Sequence, residues 1–342
     1  DLHSFPTRRS SDLRFSTLTF QQGLQETEKL IGVCLNHIGS RRGLDHDRVL
    51  GSRFAIATMI GYIRQRGTHK LPETEWDKLL YWYIHTMLWG RYASSTESVM
   101  AQDLNEIANG SGIEGLIRML RVQRGSLELK PDDFWGWSSG ARFYPLLYML
   151  TRVNHAKDFG TGIELSHHLL GKNSSLEVHH IFPKDQLYRR NYRKSIVNSL
   201  ANYAFITKET NLDISNKEPK EYFPVYCKLH PGALESHSIP TNNPELLELD
   251  NYEKFLEKRR CLLAQTANTF LESLYNGTRE QTAIDDYANR NVAAVIISDE
   301  ETIIAELAHW MEEKGLSSGE RNYRLVDEES KIGRAVQQEC RD

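Results

Sequence analysis

The apolar residues of this chain change their period once, near residue 170, and that change limits the fold more than any other feature. From about 18 to 170 they return every three or four positions, as they must to line one face of successive helices. Between 171 and 225 the pattern gives way to two short apolar runs, in "LEVHHIFPK" and "NYAFIT", with a basic polar stretch, "LYRRNYRKS", between them and "NLDISNKEPKEYF" after them. This order predicts strand, irregular loop or helix, strand, turn and helix. From 245 to 275 a long amphipathic helical pattern returns, and "VAAVIIS" followed by "DEETIIAELAHWMEEKG" predicts a further strand and helix. The chain is expected to be mainly α with a small α+β part, without internal repeats.

Within the helical half, "TFQQGLQETEKLIGVCLNHIG" is expected to stop at Gly39 and "RFAIATMIGYIRQRG" at Gly67. "PETEWDKLLYWYIHTMLWGRY" opens with Pro72 at the first helical position, and helices follow around 96–109, 112–124 and 139–153. The aromatics Trp76, Tyr81, Trp82, Tyr83 and Trp89 fall at helical spacing, which predicts core packing rather than a base-stacking surface. Ser95 or Thr96 is the expected N-cap of the helix at 96.

Both ends read differently from the rest. "DLHSFPTRRSSDL" at 1–13 is what a sequencing-adapter string encodes when translated in frame, and "KIGRAVQQECRD" at 331–342 resembles a second adapter read in reverse. Both segments are set apart from the fold, and the natural protein is expected to extend beyond them. The whole chain carries 42 Lys and Arg against 46 Asp and Glu, so nucleic-acid contact would need a local basic patch rather than net charge. Cys34, Cys227 and Cys261 are isolated, and Cys340 belongs to the final segment, which argues against a disulfide framework or a cysteine-based zinc site. The longest apolar runs, such as "FAIATMIGYI" at 54–63, fall short of the roughly 20 residues of a membrane span. A cytoplasmic protein without a membrane partner is expected.

The chemistry concentrates in "VHHIFPKDQL" at 178–187. Adjacent side chains on a strand point to opposite faces, so His179 and His180 should not grip one ion together. Asn202 and Asn211 follow within the same short stretch. A carboxamide oxygen and a neutral imidazole can both bind a divalent cation, and a second imidazole can take a proton from water.

These residues resemble the HNH nucleases, whose ββα-metal finger carries Asp or His, then His, an aliphatic residue, any residue and Pro, with a middle Asn and a final Asn or His on the finger helix. The resemblance assigns His179 and Asn211 as metal ligands, His180 as the general base and Asn202 as the residue that holds the base loop. The HNH domain of RNA-guided nucleases has the same nine-residue gap between its asparagines, and a Pro eight residues further on, where this chain has Pro219. His179 stands where many members have Asp, which removes one negative charge and widens the expected cation from Mg²⁺ to Mn²⁺ or Ni²⁺.

The resemblance implies hydrolysis of DNA, with Lys184, Arg189, Arg190, Arg193, Lys194 and Lys217 as contacts to the DNA backbone. Arg259 and Arg260 are expected either at phosphate or in ion pairs. Over most of 20–275 the chain also resembles the carboxy-terminal half of GmrSD-type restriction proteins, in which a nucleotide-hydrolysing ParB-like domain comes first. The implied organisation is a helical domain at 14–170, an HNH nuclease domain at 171–275 with its finger at about 176–225 embedded in further helices, and a strand-helix extension at 276–330. The alternative is a DNA-binding or interaction module that keeps the finger as a scaffold and does not cleave.

Overall fold

A computed structural model describes residues 17–42, 50–165 and 176–278. The adapter-like ends, the approach to the finger at 166–175 and the strand and helix expected at 292–315 lie outside the described residues. The described residues from Lys29 onward form one compact unit, and everything below belongs to it except the start of the first helix, residues 17–28.

Helix α1, Thr17–Arg42, runs through Gly39 rather than stopping there. Glycine costs an exposed helix only about 1 kcal/mol, and Leu30, Cys34 and Ile38 keep this one packed against the core up to the expected stop. Helix α2, Arg53–Arg66, does stop at Gly67, whose φ of 67° is left-handed and open to glycine without strain. Helix α3, Glu73–Trp89, begins one residue after Pro72. It is the axis of the helical half, with Trp76, Trp82 and Tyr83 essentially inaccessible and Tyr81 buried, so these aromatics are core as their spacing predicts, while Trp89 at the helix end is half-buried against the same core. Each such ring contributes on the order of 2–3 kcal/mol by burial.

Helix α4, Thr96–Ala108, lacks the expected side-chain cap. Ser95 sits at φ 51° without a capping bond, and the Thr96 hydroxyl donates back to the Tyr92 carbonyl at 2.9 Å. Helix α5 spans Gly112–Arg124. Helix α6, Tyr144–Val153, begins five residues later than its apolar pattern suggests, because Pro145 fits only in a first turn.

The finger follows. Strands β1, Leu176–His180, and β2, Tyr203–Thr207, pair antiparallel with His179 opposite Ala204 and His180 opposite Tyr203. Between them lie two short helices, α7, Lys184–Arg189, and α8, Lys194–Val197. Strand β2 passes directly into α9, Lys208–Ile214, with Thr207 as a true cap that accepts from the Thr210 amide. Helix α10, Pro219–Leu229, comes after a turn.

Helix α11, Tyr252–Asn276, starts seven residues later than expected, since 3-10 turns at Pro244–Leu247 and Leu249–Asn251 precede it. Among the described residues, no helix is long and apolar enough to cross a membrane.

Alternation along the ribbon divides the interior. Leu176, Val178, Tyr203 and Phe205 join the core of the helical half, where Phe205 meets the rings of Tyr144 and Tyr148 on α6. Ala204 and Ile206 face the other way into a second core with Ile214, Tyr222 and Phe223. Helix α11 serves both cores, its first turns with Phe255 and Leu256 and its later turns with Leu263, Phe270 and Leu274.

Candidate functional site

The two histidines occupy opposite faces of β1, as a strand requires. His179 is 3% exposed. Its Nδ1 stands 2.9 Å from Oδ1 of Asn211 on α9, and its Nε2 stands 3.3 Å from the Tyr222 hydroxyl on α10. The partners of those two groups fix their orientation. Asn211 Nδ2 donates to the Glu177 carboxylate at 2.6 Å, and the Tyr222 hydroxyl donates to the Ile181 carbonyl at 2.9 Å. Acceptors therefore face both nitrogens of the His179 ring.

A neutral imidazole has one N–H to offer. Burial, opposed by the Asn211 hydrogen bond, brings the His179 pKa from 6.5 down to about 4, so the ring is neutral at physiological pH. One contact lacks its proton. With the proton on Nδ1 it goes to Asn211 Oδ1, and Nε2 faces Tyr222 without one. With the proton on Nε2, donated to Tyr222, the lone pairs of Nδ1 and Asn211 Oδ1 face each other, which is the state open to a cation.

Such a pair suits a cation. Two neighbouring ligands of an octahedral ion at about 2.1 Å stand about 3 Å apart, the separation found between these atoms. Among the described residues no three His, Cys, Asp or Glu side chains gather into a cage. The donor set is this imidazole and carboxamide, two positions of an octahedral ion whose remaining positions would hold water.

His180 lies at the end of β1 beside the Tyr203 ring. Its Nε2 is 3.1 Å from Oδ1 of Asn198, a residue the sequence does not single out. Asn198 Nδ2 donates to the Lys194 carbonyl at 2.9 Å, an atom that can only accept, so the amide cannot be reversed without loss. His180 then carries its proton on Nε2 and a lone pair on Nδ1. Burial comes first in lowering its pKa to about 4; the Asn198 bond opposes this and the Lys184 charge adds to it.

Asn202, fully buried, clamps the loop between the strands. Its Oδ1 accepts from the Phe182 amide at 2.8 Å, and its Nδ2 donates to the carbonyls of Phe182 and Val197 at 3.1 and 3.0 Å. Asn202 thus holds the backbone that follows His180, while the ring itself is held by Asn198.

A second clamp, Asp158, comes from well outside the finger. It accepts from the Thr207 amide at 2.7 Å, from the Thr161 amide and hydroxyl at 2.9 Å, and from the Thr210 hydroxyl. Burial alone would raise its pKa, but these bonds outweigh it and hold the carboxyl below its usual range. The joint between β2 and α9, and with it Asn211, is fixed by this carboxylate.

The six basic candidates lie at the surface but are not equivalent. Arg189 pairs with Asp185, Arg190 with Asp250 and Lys217 with Asp213. Lys184, Arg193 and Lys194 make no ion pair among the described residues. Arg259 and Arg260 fit neither expectation. Arg259 is buried and donates to the carbonyls of Ala201 and His237 at 2.8 and 3.1 Å, tying α11 to the finger, and burial lowers its pKa to about 9. The Arg260 guanidinium lies over the Trp135 ring, 4.1 Å from its centroid.

Fold and site together define a mainly α protein with a small α+β part that carries a strand-strand-helix unit with polar groups on both faces of its ribbon. No family model matches the chain. It is 31% identical over 228 residues to an uncharacterized protein, MJ0686, of Methanocaldococcus jannaschii, a match covering 58% of this chain and 37% of that protein. The chain thus spans well under half the length of this curated relative.

Proposed function

We propose that this chain is a metal-dependent HNH endonuclease that hydrolyses DNA phosphodiester bonds. The observation that carries this reading is the meeting of His179 Nδ1 and Asn211 Oδ1 at 2.9 Å, a pair able to hold a cation when the ring proton sits on Nε2, with the next residue in the chain a histidine whose tautomer leaves Nδ1 able to take a proton. His179 Nδ1 and Asn211 Oδ1 would hold a divalent cation, Mg²⁺, Mn²⁺ or Ni²⁺. When bound, it supplies stabilisation of the charge that develops on the phosphate and on the leaving 3′ oxygen.

The remaining work falls to the chain. His180 accepts a proton from the attacking water at Nδ1 as the oxygen bonds to phosphorus and the bond to the 3′ oxygen breaks. Asn198 keeps the Nε2 proton in place through that transfer, and Asn202 keeps the loop from drifting. Lys184, Arg193 and Lys194 neutralise neighbouring phosphates. The wider resemblance supports a role in the cytoplasm as part of a restriction protein directed at modified foreign DNA, with nucleotide hydrolysis in a ParB-like partner domain.

Plasmid nicking tests this reading. The parent chain is expected to nick with at least one of Mg²⁺, Mn²⁺ or Ni²⁺, and His180→Ala to lower the rate by roughly 100-fold or more with its melting temperature little changed. Equal nicking by parent and variant would remove His180 as the base. A parent that binds DNA but nicks with none of the three ions would favour the non-cleaving scaffold.

A further inference from the structure

Two neutral ligands leave a divalent charge in this finger poorly compensated, and the groups around His179 show where compensation comes from. Glu177 lies two residues before His179, so both side chains fall on one face of β1, opposite Ile206 and Ala204. Its Oε2 accepts from Asn211 Nδ2 at 2.6 Å, a short charge-assisted bond. Reversing the Asn211 amide would set its carbonyl oxygen against a carboxylate. Glu177 therefore keeps Asn211 Oδ1 turned toward His179.

The other carboxylate near His179 cannot serve in this way. Asp158 has both oxygens committed to the threonine amides and hydroxyls of the β2–α9 joint. Glu177 is half-buried, and its Oε1 has no hydrogen-bond partner among the described residues. That oxygen can accept from the water that a hard cation retains. The charge that His179 does not bring, in a position where aspartate would bring it, is thus present two residues earlier on the same face.

We infer that Glu177 is the acidic member of the cation site, holding Asn211 in the ligating orientation and supplying negative charge to a hydrated divalent ion bound at His179 and Asn211. The inference rests on the cation reading above. It assigns Glu177 a positioning and charge-balancing role and favours Mg²⁺ and Mn²⁺ over softer ions.

Binding of Mn²⁺ to the full chain without DNA, followed by the electron paramagnetic resonance of the free ion, tests the inference without reference to cleavage. The parent is expected to bind one Mn²⁺ that Asn211→Ala loses. Glu177→Gln keeps the shape and an acceptor for Asn211 but not the charge, and should weaken binding by roughly 10- to 100-fold at an unchanged unfolding midpoint. Glu177→Asp, which keeps the charge at shorter reach, should bind within about tenfold of the parent. If E177Q binds as tightly as the parent, this inference falls and the cation reading stands. If the parent binds no Mn²⁺ at a site sensitive to Asn211, both fall. Should E177Q fail to fold, E177D decides, and loss as complete as in Asn211→Ala would overturn the inference.

Discussion

Two buried polar networks in this molecule are built from similar parts and end differently. In the helical half, Arg91 donates through Nε and Nη2 to both oxygens of Asp103 at 2.7 and 2.5 Å, and through Nη1 to Gln123 at 2.7 Å. Tyr92 adds its hydroxyl to the same carboxylate at 2.6 Å. Charge meets charge and each donor named has an acceptor. In the finger, the chain Glu177, Asn211, His179, Tyr222, Ile181 runs from a carboxylate to a carbonyl through a ring with one proton too few. A closed network stabilises a fold, whereas an open one is where a ligand completes the matching of donors and acceptors.

The contrast is easiest to break through its closed side. Asp103→Ala leaves a buried guanidinium without its partner and should cost about 3–5 kcal/mol, read as a large drop in urea or thermal unfolding midpoint. A drop under about 1 kcal/mol would mean that the pair contributes no more than a surface one. Acid acts on both halves of the molecule at once. His85 is held neutral with a pKa of about 3, and His179, His180 and His237 with values of about 4, all chiefly by burial. The unfolded chain binds these protons first, so the stability they confer is fully present above pH 6.5 and is lost as pH falls toward 4. The loss is on the order of a few kcal/mol for each fully buried ring, and an unfolding midpoint constant from pH 7 to 4 would contradict it.

Smaller effects sharpen the open side. Asn198→Leu frees the His180 ring to exchange tautomers and should slow nicking about tenfold with little change in Mn²⁺ affinity. Equal loss of both would place Asn198 in the architecture of the cation site instead. Arg193→Gln with Lys194→Gln should lower the salt dependence of DNA binding by about one counterion for each phosphate that is no longer neutralised. Arg190→Gln should change it less, because Asp250 already holds that charge. If Arg190→Gln has the larger effect, the assignment by ion pairing is wrong.

How much of this is legible in the sequence depends on how local each arrangement is. The switch of period near 170 yields the fold class, and period-two alternation separates His179 from His180. The same alternation places Glu177 beside His179, a signal the motif obscures because attention falls on adjacent residues. Arg259 is legible too: Tyr252, Phe255, Leu256, Leu263 and Phe270 mark the apolar stripe of α11, and position 259 lies on it. Asn198, Asp158 and the pairing of Arg190 with Asp250 are not legible, since each depends on segments brought together only by tertiary packing. Gly39 shows the limit of a local stop signal when core contacts hold the helix up to it.

The ribbon that separates the two cores also sets the terms on which the finger can be moved. All five residues of β2 are buried, and the face carrying Leu176, Val178 and Phe205 is covered by the helical half. A transplant of residues 176–225 into another scaffold would carry every residue of the proposed site, yet expose this face and lose both Asp158 and Arg259. As a unit of inheritance or engineering, the smallest portable piece is the finger together with α6, the turn that carries Asp158, and α11. Fusions that respect that boundary are the ones expected to keep the histidines in register.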